Sequence, residues 1–177
     1  MYADVAQLVE HAIGNGEVSG SIPDVGSTII MEKSVKKESY AVASLKAFIV
    51  KDGKVLILEE SSSYKGGTQH GNFVMPGGKV NEGQNLNSSL KREIKEECGG
   101  SLRVKIGRPF HIDEWKVNVP GKPKHIVATY IECVHERGEV NLNDEFKRYL
   151  WIDPRKYAKY KINAAAKRAF RSYLKQS

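Results

Sequence analysis

Residues 76–100 read PGGKVNEGQNLNSSLKREIKEECGG, and this stretch decides the fold because it joins a glycine turn to an acidic helix. Pro76-Gly77-Gly78 is typical of a tight turn, and Gly99-Gly100 is typical of a helix end. Between them an apolar residue recurs every four positions, which predicts a helix from Asn85 to Cys98. The predicted apolar stripe of this helix consists of Leu86, Leu90, Ile94 and Cys98.

Three glutamates crowd the second half of this predicted helix. Residues three and four apart share a helix face, so Glu93 lies beside both Glu96 and Glu97. Carboxylates this close repel one another unless a cation neutralises them, and Mg²⁺ binds carboxylate oxygens well. A solvated acidic helix face is the alternative, which the neighbouring Gly77-Gly78-Lys79 turn disfavours because it suits a phosphate. The pattern therefore indicates a divalent cation that activates water for attack on phosphorus.

Outward from this stretch, strands and a second helix alternate along the chain. Asp52-Gly53 separates two apolar runs and predicts a β-hairpin. Ser61 to Gly71 is polar and rich in small residues, which predicts a loop. Such a mixture of strands and helices predicts an α+β sandwich. The predicted strands are 41–50, 55–59, 72–75, 103–112, 115–119, 126–134 and 149–152, with a turn at Pro120-Gly121 and a closing helix over Lys161 to Leu174.

The stretch also carries a known motif. Gly78, Arg92, Glu93, Ile94, Glu96, Glu97 and Gly99 match the Nudix box, Gly-x5-Glu-x7-Arg-Glu-U-x-Glu-Glu-x-Gly-U, where U is a bulky aliphatic residue. From about Tyr40 to Lys175 the chain therefore resembles the Nudix hydrolases, a MutT-like family. The resemblance implies a three-layer α/β/α sandwich around a central mixed sheet, and hydrolysis of a nucleoside diphosphate linked to another group.

Two positions depart from the box, Gln84 in place of a glutamate and Gly100 in place of an aliphatic residue. Glutamine keeps hydrogen-bonding capacity but loses the charge, which removes a supporting salt bridge such as one to Arg92. The glutamate cluster is intact, so we expect activity.

Geometry and resemblance together assign roles to the site residues. Either Glu93 or the distant Glu145 is expected to accept the proton of the attacking water. Arg92 is expected to orient the glutamates rather than touch substrate. Lys79 is either a phosphate contact or a solvated lysine. The predicted metal ligands are Glu93, Glu96, Glu97 and the carbonyl of Gly78, the predicted catalytic residues are Glu93, Glu97, Glu145 and Arg92, and the predicted phosphate-binding residues are Gly77, Gly78 and Lys79.

The expected function is Mg²⁺-dependent hydrolysis of a pyrophosphate linkage, with Mn²⁺ as the alternative ion. The expected substrate is a nucleoside triphosphate or deoxynucleoside triphosphate, an oxidised nucleotide or a nucleotide sugar. Trp115 is expected to stack on the base, whereas Phe73 and Trp151 are assigned to the core. The alternatives are a non-catalytic nucleotide- or RNA-binding module and removal of pyrophosphate from RNA 5′ ends. The basic closing helix motivates RNA as a partner, although a small nucleotide is favoured, and a homodimer is left open.

Composition supports this interpretation and bounds it. The 177 residues carry a net charge of +7. Two cysteines favour a reducing cytoplasmic compartment, and no apolar run approaches the length that a membrane span needs. Residues 1–30 contain four acidic and no basic residues, which leaves a charge of +11 on residues 31–177. We interpret residues 1–30 as a disordered leader or as a read-through translation of a tRNA gene that precedes a true start at Met31, and residues 31–177 as one Nudix-type domain.

Overall fold

A mixed β-sheet lies at the centre of the chain, and it is built from strands whose side chains are apolar on both faces. The computed structural model describes residues 40–117 and 124–176. The predicted boundary at Met31 and the predicted turn at Pro120-Gly121 lie outside the described residues. The elements are β1 (Tyr40–Lys51), β2 (Lys54–Glu60), β3 (Phe73–Val74), α1 (Leu86–Cys98), β4 (Arg103–Val117), β5 (Lys124–Arg137), β6 (Phe146–Ile152), a 3-10 helix (Pro154–Lys159) and α2 (Ala164–Leu174).

The sheet is mixed because one of its strand pairs is parallel. Its order is β3-β2-β1-β5-β4, and β6 also pairs with β2. Strands β1 and β5 run parallel over eleven register positions, whereas the other pairs are antiparallel. The hairpin predicted between β1 and β2 is confirmed, and both of its turn residues, Asp52 and Gly53, have positive φ angles of 49° and 71°. This is the conformation that a two-residue loop needs to match the twist of its strands.

Each face of the sheet is covered by one helix. Leu45, Ala47 and Ile49 of β1 face α1 and pack with its buried residues. Phe48, on the opposite face of the same strand, packs against Phe170 of α2 with ring centroids 5.1 Å apart. The three-layer α/β/α sandwich expected from the resemblance is therefore confirmed. In the described part of the chain, no helix is long and apolar enough to span a bilayer.

Helix α1 has nearly the predicted length, and Leu90, Ile94 and Cys98 of the predicted apolar stripe are buried. Asn85 caps it, because its side chain accepts hydrogen bonds from the backbone of Asn87 and Ser88. Leu86, expected in the apolar stripe, is 48% exposed at the first helical position. Glu97 is only 8% exposed, since it lies three residues after Ile94 on the face that meets the sheet.

Two further boundaries differ from the prediction. The strands expected at 103–112 and 115–119 form one strand, β4, because Asp113 and Glu114 continue the pairing with β5. Bulges between Ile106 and His111 absorb the irregularity of register. The closing helix begins at Ala164 rather than Lys161, because the Asn163 side chain caps it by accepting the backbone N–H of Ala166 at 2.8 Å.

The burial of α1 predicts unequal effects of two similar substitutions. Leu90 is fully buried between α1 and the sheet, so Leu90→Ala should lower the free energy of unfolding by about 2–5 kcal/mol. Leu86→Ala, on the same helix, should change it by less than about 1 kcal/mol. Urea denaturation followed by circular dichroism measures both. Equal losses would contradict the exposed position of Leu86.

Candidate active site

The predicted glycine turn is inserted between two strands of the sheet. Strand β3 pairs with β2, and the chain then crosses to β1, where the backbone N–H groups of Ala47 and Leu45 donate to the carbonyls of Pro76 and Gly78 at 2.8 and 2.9 Å. Gly77 has φ of +124°, and a Cβ there would overlap the carbonyl of Leu45. Only glycine fits this backbone, so the sequence Gly77-Gly78 fixes how the turn enters the sheet.

Two glutamates of α1 reach this turn from successive helical turns. The carboxylate of Glu93 lies against the α-carbon of Gly78, in the space that a side chain there would fill. Glu97 Oε2 accepts the backbone N–H of Gly77 at 2.7 Å. The i, i+4 spacing predicted from the sequence therefore places both carboxylates beside the two glycines.

Glu97 is the most electrostatically strained of these groups. Its pKa is raised from the ordinary 4.5 to about 8, mainly by burial and in part by the nearby charges of Glu93 and Glu145. Lys46 and the hydrogen bond from Gly77 act in the opposite direction and favour the carboxylate. Without a further cation this site holds more negative charge than its surroundings neutralise.

Arg92 lies over the outer side of the glutamate cluster. Its guanidinium contacts Glu93 at 2.8 Å and Glu96 at 3.1 Å, and it donates to the carbonyl of Lys79 at 3.3 Å. The Glu96 side chain is 54% exposed, so of the three glutamates Glu97 is buried and Glu96 is open to solvent. This placement suits the orienting role expected of Arg92.

Gln84, which replaces the glutamate of the box, forms a hydrogen bond within the same segment and not with Arg92. Gln84 Oε1 accepts from the hydroxyl of the buried Ser89 at 3.1 Å. The Nε of Arg92 is buried and has no hydrogen-bond partner among the described residues. No ion pair joins positions 84 and 92, as expected once glutamine replaces the glutamate of the box.

The other two residues of the predicted phosphate turn differ in their surroundings. The Gly78 carbonyl accepts from Leu45 N and from Ser44 Oγ at 2.9 and 3.0 Å, so a cation bound to it would compete with these donors. The Lys79 side chain is exposed and is not among the residues that line the cleft described next.

A cleft of about 150 Å³ opens beside Glu97. One end is charged, with Glu60 and Glu145 next to Glu97 and with Lys46 reaching in from β1. Glu145 precedes β6 and accepts a hydrogen bond from the Tyr64 hydroxyl, and the charge of Glu145 raises the pKa of Tyr64. The structure therefore places the distant Glu145 in the same cleft as Glu97.

Aromatic side chains also line the cleft. Trp115 of β4 and Tyr130 of β5 line it, together with Asn163 at the start of α2. Phe73 is 4% exposed, and Trp151 packs against the α1 side of the sheet. The assignment of these two residues to the core is confirmed, and Trp115 is left as the tryptophan that faces the cleft.

The donor chemistry of the cluster fits a hard divalent cation. Glu93, Glu96 and Glu97 offer carboxylate oxygens, and the buried Glu97 lacks a full counter-charge. As the side chains are placed, no three acidic, histidine or cysteine side chains within residues 40–117 and 124–176 converge closely enough to hold a metal. Arg92 forms ion pairs with two of these carboxylates, those of Glu93 and Glu96.

Sequence analysis missed most residues of the cleft, among them Lys46, Glu60 and Tyr130. Lys46 and Tyr130 lie in apolar strand sequences, and Glu60 ends β2 with no motif around it. Lys46 and Tyr130 are register partners in the parallel pair β1–β5. The only sequence signal for Lys46 is a charge within an apolar run, which alone does not reveal the cleft.

Comparisons with known proteins agree with the geometry. Residues 41–173 match the family described as NUDIX domain. Over 128 residues the chain is 29% identical to the nucleoside triphosphatase NudI of Escherichia coli O139:H28, covering 70% of this chain and 89% of that protein. A MutT protein from Methanosarcina mazei Go1 has a similar structure, with TM-score 0.62 and 24% identity over 78% of this chain and 96% of its own. An ADP-ribose pyrophosphatase from Streptococcus suis 89-1591 has TM-score 0.53 and 21% identity, over 77% and 92% of the two chains.

The raised pKa of Glu97 predicts a pH-dependent stability of the metal-free protein. Folded Glu97 keeps its proton up to about pH 8, whereas the unfolded chain releases it near the ordinary 4.5. Because the folded state then binds more protons, the free energy of unfolding should fall as pH rises through this window. Glu97→Gln should remove that part of the decline.

Urea denaturation in EDTA at about pH 5 and about pH 8 gives the comparison, since a shift of one pKa unit corresponds to about 1.4 kcal/mol. Glu136→Gln, an exposed glutamate of β5, is the matched control and should decline as the unsubstituted protein does. An identical pH dependence in Glu97→Gln and the unsubstituted protein would show that Glu97 titrates normally.

Proposed function

Because the chain belongs to the NUDIX family of hydrolases, we propose that it cleaves the pyrophosphate linkage of a nucleoside diphosphate derivative with a divalent cation. The observation that carries this proposal is the buried Glu97 carboxylate, which is hydrogen-bonded to Gly77 beside Glu93 and lines a cleft that Trp115 and Tyr130 also line. Carboxylates suit the metal, and an aromatic ring suits the base.

Glu93, Glu96 and Glu97 are the residues that would hold the cation. When bound, Mg²⁺ or Mn²⁺ supplies a Lewis acid and lowers the pKa of a coordinated water. Arg92 keeps Glu93 and Glu96 in place from outside the cleft. Glu97 is fixed by the Gly77 hydrogen bond, so its carboxylate is oriented before any ligand enters.

A general base must take the proton of the attacking water. Glu145 lines the cleft, and Tyr64 and Asn143 donate hydrogen bonds to it, the latter at 3.3 Å. These bonds fix its orientation, whereas Glu93 is engaged by Arg92. Glu145 is therefore our first choice as base and Glu93 the second. The water oxygen bonds to phosphorus, the bridging P–O bond breaks, and the leaving phosphate takes up a proton.

The relatives suggest the substrate class. One is named as a nucleoside triphosphatase and one structural neighbour as an ADP-ribose pyrophosphatase. Both descriptions contain a phosphoanhydride attached to a nucleoside, which a cleft lined by charged and aromatic side chains would accommodate. We therefore propose nucleoside triphosphates and nucleoside diphosphate sugars as the first substrates to test.

RNA 5′ ends are a second candidate, favoured by the charge of α2. Residues 154–177 contain eight basic residues and no acidic ones. On a helix of 3.6 residues per turn, the four basic residues of α2 and its C-terminal cap fall within one sector of about 100°, and Asn163, which caps the start of α2, lines the cleft. A polyanion leaving the cleft would meet this face. The four residues are Lys167, Arg168, Arg171 and Lys175.

Glu97→Gln should abolish most turnover while the protein stays folded. Removing one carboxylate ligand weakens both metal binding and transition-state stabilisation, so we expect kcat/KM to fall about a hundredfold or more. The assay measures phosphate or pyrophosphate release with Mg²⁺ and with Mn²⁺ on nucleoside triphosphates, ADP-ribose, UDP-glucose and triphosphorylated RNA. Glu136→Gln should retain activity. Full turnover by Glu97→Gln would refute the assigned ligand, and no hydrolysis of any substrate would refute the proposed function.

Trp115 should determine the affinity for the base. Stacking of an aromatic side chain on a base contributes about 1–3 kcal/mol, so Trp115→Ala should raise KM about tenfold and leave kcat nearly unchanged. Trp115→Phe keeps a ring and should recover most of the affinity. Ile112→Ala is the matched control, because Ile112 is 53% exposed on the same strand and is not among the cleft residues. An unchanged KM in Trp115→Ala would exclude stacking there.

A further inference from the structure

Lys46 is the one cation among the described residues that line the cleft. The charged end of the cleft otherwise consists of Glu60, Glu97 and Glu145. A substrate with two phosphate groups would bring several more negative charges to this end. A divalent cation would be engaged in neutralising the glutamates. Lys46 is then the positive side chain of the cleft that can neutralise the phosphates of the substrate.

The position of Lys46 follows from the strand that carries it. Residues of β1 alternate between the two faces of the sheet, and Lys46 lies between Leu45 and Ala47, which face α1. Its own side chain therefore projects to the opposite face, where its register partner Tyr130 also lines the cleft. Lys46 is thus a half-buried charged residue in the middle of a mostly apolar strand.

The hydrogen-bonding capacity of Lys46 is only partly used by the protein. Its Nζ donates to the carbonyl of Gly77. An ammonium group has three N–H donors, and within the described ranges Lys46 forms no ion pair with a carboxylate inside 4.0 Å. Two donors are therefore available toward the cleft.

The cations singled out from the sequence are engaged or positioned elsewhere. Arg92 is bonded to Glu93, to Glu96 and to the carbonyl of Lys79 on the outer side of the cluster. Lys79 is exposed and does not line the cleft. Lys46 lines the cleft, whereas Arg92 and Lys79 do not.

We propose that Lys46 is a catalytic residue that binds the substrate directly, with Nζ donating to a non-bridging oxygen of the phosphate groups. This proposal rests on the proposed function, since it assumes that the cleft takes a diphosphate. The hydrogen bond to Gly77 holds Nζ in place before the substrate enters, next to the glycine that also orients Glu97. Lys46 thereby connects phosphate binding to the turn that orients the Glu97 carboxylate.

Two charge-removing variants and one charge-preserving variant test the proposal. Lys46→Met removes the charge and the donor, Lys46→Gln removes the charge but keeps a donor for the Gly77 carbonyl, and Lys46→Arg keeps the charge. The binding probe is methylenediphosphonate, a non-hydrolysable analogue of pyrophosphate, measured by calorimetry in Mg²⁺. Lys105→Met, an exposed lysine of β4, is the matched control.

Loss of a charge-assisted contact should weaken methylenediphosphonate binding about ten- to a hundredfold in Lys46→Met and in Lys46→Gln. Lys46→Arg should recover part of the affinity, and Lys105→Met should bind as the unsubstituted protein does. Mn²⁺ affinity, measured by electron paramagnetic resonance without any anion, should not fall in either charge-removing variant. A purely structural role in holding the Gly77 turn would instead weaken Mn²⁺ binding in Lys46→Met and spare Lys46→Gln.

Unchanged probe affinity in the folded Lys46→Gln protein overturns the proposal, as does absence of probe binding to the unsubstituted protein. If neither charge-removing variant folds, reductive ¹³C-methylation of the unsubstituted lysines gives the readout. The methyl resonance assigned to Lys46 by comparison with Lys46→Arg must then shift on addition of methylenediphosphonate, and a resonance that does not move overturns the proposal. Probe binding without hydrolysis of any nucleotide would support Lys46 while refuting the proposed function, so the two failures are distinguishable.

Discussion

The insertion of Gly77 and Gly78 between two strands is the constraint on which the site depends. The backbone of β1 donates hydrogen bonds to the carbonyls on either side of Gly77, and the carbonyl of Leu45 occupies the space where a side chain would lie. This close approach exposes the N–H of Gly77 to Glu97 and clears the α-carbon of Gly78 for Glu93. The two glycines therefore position the carboxylates as well as the turn, and any side chain there would displace both.

Electrostatic balance is the second constraint. Glu97 is buried, and its pKa is raised to about 8. Burying an ionisable group costs free energy, and an apolar side chain would pack on this helix face without that cost. One hydrogen bond and the charge of Lys46 offset part of that cost. A divalent cation bound at this cluster would neutralise the remainder.

Much of the fold followed from local patterns. The hairpin at Asp52-Gly53 requires positive φ at both positions, and the helix over Leu86–Cys98 is bounded by Asn85 and Gly99. Patterns failed where neighbours in space decided the outcome. The break expected inside β4 did not occur, because pairing with β5 carries the strand through Asp113 and Glu114. Leu86 is exposed because the helix begins there, before its apolar face meets the sheet.

The sequence by itself determined the acidic helix, the glycine turn and the motif that joins them, because residues three or four apart on a helix and glycines in a turn interact locally. It also indicated Glu145 and Trp115, through a resemblance and through composition. Only the tertiary structure decided that Lys46 and Tyr130 share a cleft with Glu97, because a parallel strand pairing brings together residues 84 positions apart in the chain. Such non-local contacts leave no periodic trace in the sequence, so the motif could not show that Lys46 lies in the cleft.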